Sequence, residues 1–159
     1  EAGLLKMISA LQFATIPVIY LWKFMIIALL LWVGCFLFGY NVSYGKCFRI
    51  ALVAEFIFLI PEIIKILHFI FLPVDVTLYE INIYYPVSLV LLVDARSIDQ
   101  MWIYPLKALN IFEVAYWGLL YYLLHQTAQK QKWVPLAVVG IFYVFPFLLW
   151  LVYYMGVYQ

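Results

Sequence analysis

Long apolar runs alternate with short polar stretches along this chain. A helix needs about 20 mostly apolar residues to cross the hydrocarbon core of a bilayer. Four runs are long enough, and each is predicted to form one membrane-spanning helix: Ile16–Tyr40, Phe48–Leu72, Trp102–Leu124 and Trp133–Tyr158. The pattern therefore predicts an all-α integral membrane protein built as a polytopic helical bundle.

A fifth apolar segment, Ile81–Val93, is too short for an ordinary span and contains Pro86. Irregular backbone is tolerated at membrane depth where it is buried in protein or lines a cavity. We therefore expect this segment to be a re-entrant or interfacial piece that does not cross. Ahead of the first span, helically spaced Leu4, Ile8 and Leu11 favour a short interfacial helix.

The charges in the connections favour one orientation, because basic residues of short loops are typical of the cytoplasmic side. With four spans, the basic connections 41–47 and 126–132 lie on one side, and the acidic connections 73–80 and 94–101 lie on the other. A spanning segment at 81–93 would separate the two basic connections. The charged residues in this argument are Lys46, Arg49, Asp75, Glu80, Asp94, Arg96, Asp99, Lys130 and Lys132.

Under this topology both ends of the sequence are non-cytoplasmic. Glu1 opens the sequence, and no signal peptide follows it, because residues 1–14 lack a basic stretch and a continuous apolar core. We therefore expect one further span upstream, which would make five spans with the N-terminus inside and the C-terminus outside.

Composition excludes a soluble fold, because 69% of the 159 residues are apolar and 11% are charged, with a mean hydropathy of +1.07. Soluble domains are about 45–50% apolar and about 25% charged. The net charge of +1 provides no basic surface for nucleic acid. Nothing resembles a linker, so residues 1–159 are expected to form a single transmembrane domain whose partners are lipid and other membrane proteins or further copies of itself.

The chain's two cysteines, Cys35 and Cys47, do not have the spacing of a zinc site or a disulfide framework. Both are expected to be free thiols. No phosphate-binding or dinucleotide-binding motif occurs, so no cofactor is expected.

Ionisable side chains inside the predicted spans are costly and need a partner or a function. Glu55, Glu62, Lys65 and His68 share one face of the second span, and Lys107, Asn110 and Glu113 share one face of the third. At about 1.5 Å of rise per residue, Glu62 and Glu113 both lie about 15 Å deep, near the midplane. All of these residues except Glu55 are predicted to form one polar cluster, with Lys65 able to reach Glu113 across an antiparallel contact.

Two interpretations of this cluster remain open. In the first, paired charges fix the register of neighbouring helices. In the second, the cluster lines a polar cavity or a path for ions or protons, which intramembrane ionisable residues often mark. Lys23 and Arg49 are expected instead to extend their charged ends to the membrane surface.

Catalysis is poorly supported. The acid–base string of Glu62, Lys65 and His68 lacks a nucleophile, and a metal site made of His68, Glu62 and Glu113 matches no known ligand spacing. The sequence therefore predicts no catalytic residues, no metal and no enzymatic activity.

The block from Gly39 to Ile63 resembles the core of the Yip-domain family. An apolar span ends in Gly39-Tyr40, a short turn follows, and Phe48-Arg49-Ile50-Ala51 opens a second span interrupted at Pro61. The resemblance implies a five-span membrane protein with a cytosolic N-terminus and an outer or luminal C-terminus. Eukaryotic members of the family are implicated in vesicle trafficking, but no residue here indicates a GTPase-binding surface.

Two functions follow as hypotheses. The first is a non-enzymatic scaffold or accessory subunit of a membrane assembly, indicated by short loops and the absence of catalytic motifs. The alternative is a small transporter or channel component that uses the polar cluster and the broken segment around Pro86. The aromatic composition and short loops favour a bacterial inner membrane.

Overall fold

The computed structural model describes residues 2–71, 78–93, 97–128 and 131–158. Its described parts are helical apart from short connections. Asp75, Asp94, Arg96 and Lys130, which carry part of the orientation argument, lie outside the described residues. The helices are α1 (Ala2–Leu37), α2 (Tyr44–Glu55), α3 (Leu59–Phe71), α4 (Leu78–Ile83), α5 (Gln100–Ala108), α6 (Ile111–Ala128), α7 (Trp133–Val139) and α8 (Phe145–Val157).

Helix α1 is a single helix of 36 residues that runs through Pro17. The separate interfacial helix predicted before the first span is therefore wrong, because the backbone stays helical from Ala2 onward. At about 1.5 Å per residue, α1 is about 54 Å long, whereas a bilayer core is about 30 Å thick.

The turn between α1 and α2 is a Schellman motif. Gly39 takes a positive φ of 74°, and the amide of Tyr40 donates to the carbonyl of Cys35 at 2.8 Å. The reversed chain packs α2 along α1, with the small side chains of Ala28, Ala51 and Ala54 fully buried. Small residues let membrane helices approach closely.

The predicted second span is formed by α2 and α3, joined by a 3-10 turn at Phe56–Phe58. The turn precedes Pro61, whose ring excludes the carbonyl four residues earlier and which has no amide hydrogen to donate. The tighter turn accommodates this proline inside a nearly continuous helix.

The predicted third span, Trp102–Leu124, is divided between α5 and α6. Leu109 adopts an extended conformation, with φ −80° and ψ 92°. An irregular segment, residues 84–93, crosses this break. The amide of Leu89 donates to the carbonyl of Leu109 at 3.2 Å, and the amide of Ile111 donates to the carbonyl of Val87 at 3.3 Å. The broken helix and the irregular segment therefore satisfy each other's backbone groups.

The last predicted span is helical throughout, from Trp133 to Val157, with a wider π-helical turn at Gly140–Val144. The π turn lies just before Pro146, where a missing amide hydrogen relaxes the helical hydrogen-bond ladder.

Within the described residues, two helical stretches are long and apolar enough to cross a membrane, Phe13–Leu37 and Trp133–Val157. Many large apolar side chains elsewhere are also exposed, among them Phe71 at 76% and Leu92 at 82%. Monomeric soluble proteins rarely expose such contiguous apolar surface.

The buried core occupies one half of the bundle. It is built from α1, α2, α6 and α7, and its members include both cysteines, which are free thiols. The core residues are Ile27, Ala28, Leu31, Cys35, Val42, Cys47, Ile50, Ala51, Ala54, Tyr116, Leu120, Leu124, Val134, Val138 and Val139.

Candidate functional site

A cavity of about 780 Å³ lies in the half of the bundle opposite the core. The cavity is lined by residues of α1, α2, α3, α5, α6 and the last helix. Tyr85 of the irregular segment also lines it. Its wall is mainly aromatic and aliphatic, with six polar or charged residues apart from the tyrosines: Lys23, Glu55, Glu62, Lys107, Asn110 and Glu113.

Lys23 and Glu55 form an ion pair across α1 and α2, with 2.5 Å between Nζ and Oε1. The Lys23 ammonium also lies 5.3 Å from the centroid of the Phe58 ring. Lys23 thus turns to a carboxylate inside the bundle, and the prediction that it extends to the membrane surface is wrong.

The second carboxylate oxygen of Glu55, Oε2, is buried and has no hydrogen-bond partner. A buried polar atom without a partner costs about 1–3 kcal/mol. This oxygen is therefore an unpaired acceptor that lies beneath the surface of the protein.

Glu113 is 7% exposed and lies in the first turn of α6. Its Oε1 accepts hydrogen bonds from Nε1 of Trp117 at 2.9 Å and from the hydroxyl of Tyr143 at 3.1 Å. Both donors are neutral side chains, so they orient the carboxyl group without neutralising it by an opposite charge.

The Asn110 side chain bonds to both helix ends at the break in the third predicted span. Its Oδ1 accepts the amide hydrogen of Glu113 at 2.9 Å, which caps α6. Its Nδ2 donates to the carbonyls of Lys107 and Ala108 at 3.2 and 3.0 Å, at the end of α5. One side chain therefore serves both helix ends and fixes Glu113 at the cavity.

The side chain of Lys107 is held by the segment that precedes the broken helix. Its Nζ donates to the carbonyl of Asn82 at 2.6 Å and lies 6.0 Å from the ring centroid of Tyr85. Burial, with the nearby carboxylates of Glu62 and Glu113, raises the pKa of Tyr85 to about 12. The Tyr85 hydroxyl consequently keeps its proton at neutral pH and remains a hydrogen-bond donor.

The six predicted cluster residues fall into two groups. Glu62, Lys107, Asn110 and Glu113 line the one cavity. Lys65 and His68 do not line it, and the His68 ring stacks on Tyr84 at 4.3 Å. Lys65 is not paired with Glu113, whose Oε1 is bonded to Trp117 and Tyr143 instead.

Sequence reasoning placed Glu55 on the same face as Glu62 but included neither Glu55 nor Lys23 in the predicted cluster. A signal for each was present. Lys23 is the single charge in the first apolar run, and a lone charge there requires a partner. Glu55 lies seven residues before Glu62, which is two helical turns and hence the same face.

The chemistry available in the cavity is recognition of charge and of aromatic surface. Among the residues that line it, none is a serine, threonine, cysteine or histidine. Over the described part of the chain, no group of three histidine, cysteine or acidic residues has the geometry to hold a metal ion.

Over the part of the chain that the structure describes, fold and site define a helical protein with two helices fit to cross a membrane and a polar cavity between its helices. No family model, curated protein or solved structure matches the chain. The resemblance to Yip-domain proteins accordingly stays a prediction.

Proposed function

We propose that this chain is a multi-span membrane protein whose cavity admits a small polar solute, and that it acts as a transporter or channel component. The spans are those predicted at 16–40, 48–72, 102–124 and 133–158, with 81–93 as a non-crossing segment. The observation that carries the proposal is the meeting of Glu62, Lys107, Asn110 and Glu113 in one cavity of about 780 Å³.

The broken helix is the second support. Solute sites in secondary transporters are often built at interrupted helices near the bilayer midplane, where irregular backbone lines a cavity. Here the break at Leu109 and Asn110 adjoins the cavity and is crossed by the irregular segment. A helix interruption that served packing alone would not need to carry charged residues on both sides.

The asymmetry of the bundle is the third support. The core closes the half that holds the turn between α1 and α2 and the start of α7, where the basic connections lie. The cavity occupies the other half, so access from one side only is expected. Under the predicted orientation that side is non-cytoplasmic, and we place the protein in a bacterial inner membrane.

A non-enzymatic scaffold is the second candidate. It is favoured by the Lys23–Glu55 ion pair, which joins α1 to α2 and uses two of the cavity's charges for helix contact. In that case the cavity would be filled by lipid or by a partner helix, and the protein would act through association with other membrane proteins or with itself.

Cysteine accessibility distinguishes the two functions. Leu59 and Ile60 are neighbours at the same depth and are both exposed, but Leu59 lines the cavity and Ile60 does not. In proteoliposomes, Leu59→Cys should react with a water-soluble methanethiosulfonate reagent much faster than Ile60→Cys. The native thiols, Cys35 and Cys47, are buried and provide the background.

Equal, slow labelling at both positions would overturn the proposal and favour the scaffold, because the cavity would then be closed to water. Fast labelling of Leu59→Cys that is slowed by a solute added in excess would extend it from water access to solute binding.

A further inference from the structure

We propose that the cavity selects organic ammonium ions, with the Glu62 carboxylate as its anionic group and aromatic rings as its wall. This inference rests on the proposed function, since it names the class of solute that the cavity takes. It is carried by three observations on the same residues: the balance of charges, the state of the two lysines and the composition of the wall.

The charge balance favours a cation. Three carboxylates and two ammonium groups line the cavity. Lys23 is paired with one oxygen of Glu55, and Lys107 is bonded to the backbone carbonyl of Asn82. Both ammonium groups are therefore engaged, whereas the carboxylates of Glu62 and Glu113 are paired with neither lysine.

A carboxylate that no lysine contacts also favours a cationic ligand. Glu62 is exposed within the lining of the cavity and projects from α3. An incoming ammonium ion would bring a positive charge into contact with the Glu62 carboxylate, which no lysine contacts directly. An incoming anion would meet three carboxylates and would have to displace a lysine from its acceptor.

The protein already holds two ammonium groups in this cavity in the same way. Lys23 lies between an oxygen of Glu55 and the face of the Phe58 ring, at 5.3 Å from its centroid. Lys107 lies between the carbonyl of Asn82 and the Tyr85 ring, at 6.0 Å. An oxygen acceptor on one side and an aromatic face on the other is the environment that stabilises an ammonium ion away from bulk water.

The wall favours an organic cation over an inorganic one. Further rings line the cavity on α5 and the last helix: Tyr104, Tyr143, Phe147 and Trp150. Trp150 donates from Nε1 to the hydroxyl of Tyr104 at 3.3 Å, which joins the two helices across the wall. Alkyl groups on a cation would contact these rings, whereas a metal ion needs several ligands at one point, and no three histidine, cysteine or acidic side chains of the described residues are grouped in that way.

Choline and its uncharged carbon isostere, 3,3-dimethyl-1-butanol, provide the test. The full chain in lipid nanodiscs should bind radiolabelled choline saturably in a scintillation proximity assay at constant ionic strength. Excess tetraethylammonium should displace the label, and the neutral isostere at the same concentration should not. This comparison uses the unmodified protein, so it does not depend on the folding of a variant.

Two variants assign the binding to this cavity. Glu62→Gln removes a negative charge at an exposed position and should weaken choline binding about tenfold, the effect of losing one charge-assisted contact. Asp99→Asn removes a negative charge at an exposed residue outside the cavity and should leave binding unchanged.

Equal displacement by the neutral isostere, no saturable binding, or equal losses in Glu62→Gln and Asp99→Asn would each overturn the inference. Such a failure is distinct from failure of the proposed function. If Leu59→Cys is labelled readily while choline does not bind, the cavity admits water but takes another solute. If Leu59→Cys is not labelled, the proposed function itself fails.

Discussion

The hydroxyl of Tyr143 donates a hydrogen bond to Oε1 of Glu113 at 3.1 Å, and this contact joins the two irregular regions of the bundle. Tyr143 lies in the π-helical turn of the last helix, and Glu113 lies in the first turn of α6, just after the break in the third predicted span. The contact spans 30 residues of sequence. Two departures from regular helix geometry are thereby held together at the wall of one cavity.

Loss of the Tyr143 hydroxyl should destabilise the protein. Tyr143→Phe leaves the buried Glu113 carboxyl with one donor fewer, at a cost of about 1–3 kcal/mol. Thermal unfolding in a mild detergent measures the effect. Tyr153→Phe is the matched control, because Tyr153 lies on the same helix and is 63% exposed. Equal melting temperatures for the two variants would contradict a structural role for the contact.

The Lys23–Glu55 ion pair should be visible as coupling between two substitutions. Because the Lys23 side chain is 42% exposed, we expect a coupling energy of only about 1 kcal/mol in a double-mutant cycle of Lys23→Gln and Glu55→Gln. The free energies of unfolding of the four proteins provide the measurement.

A cycle that combines Glu55→Gln with Arg49→Gln is the control, because Arg49 is exposed and is not paired with Glu55. Additive effects in both cycles would show that the Lys23–Glu55 pair contributes nothing.

The Asn110 side chain should be needed at both helix ends that it contacts. Asn110→Ala removes the cap of α6 and should cost about 1–2 kcal/mol of stability. Asn110→Asp keeps an acceptor for the Glu113 amide but loses the donor to the carbonyls of Lys107 and Ala108, so a partial recovery is expected. Chemical unfolding followed by circular dichroism checks this order. An Asp variant no better than the Ala variant would assign the effect to the α5 end alone.

Two glycine-to-alanine substitutions should change the stability of the protein in opposite directions. A methyl group at Gly34 would lie 2.7 Å from Cγ1 of Val138 and 2.8 Å from Cδ2 of Phe142, so Gly34→Ala should destabilise by about 1–3 kcal/mol. A methyl group at Gly118 meets nothing within 4 Å, so Gly118→Ala should stabilise α6 by about 0.5–1 kcal/mol. Melting temperatures that shift in the same direction would refute the close packing of α1 against the last helix.

Four of the six residues predicted to form one polar cluster line the cavity. Glu62, Lys107, Asn110 and Glu113 were placed together because helical spacing puts each set on one face and the rise per residue gives their depth. Lys65 and His68 have the same signal and lie outside the cavity. Face and depth were therefore not enough, because the tilt and kink of a helix decide which part of a face meets its neighbour.

The sequence by itself determined that this chain is helical and rich in apolar surface, because runs of apolar residues and their spacing are local properties. It also marked the irregular segment, since Pro86 and the short length of 81–93 disfavour a span. Only the tertiary structure decided where the third apolar run breaks and which carboxylate Lys23 contacts. Both depend on groups distant in sequence: the backbone of Val87 and Leu89 replaces helical partners at the break, and α2 brings Glu55 against α1. Competition between local and distant hydrogen bonds is settled by packing, which periodicity does not encode.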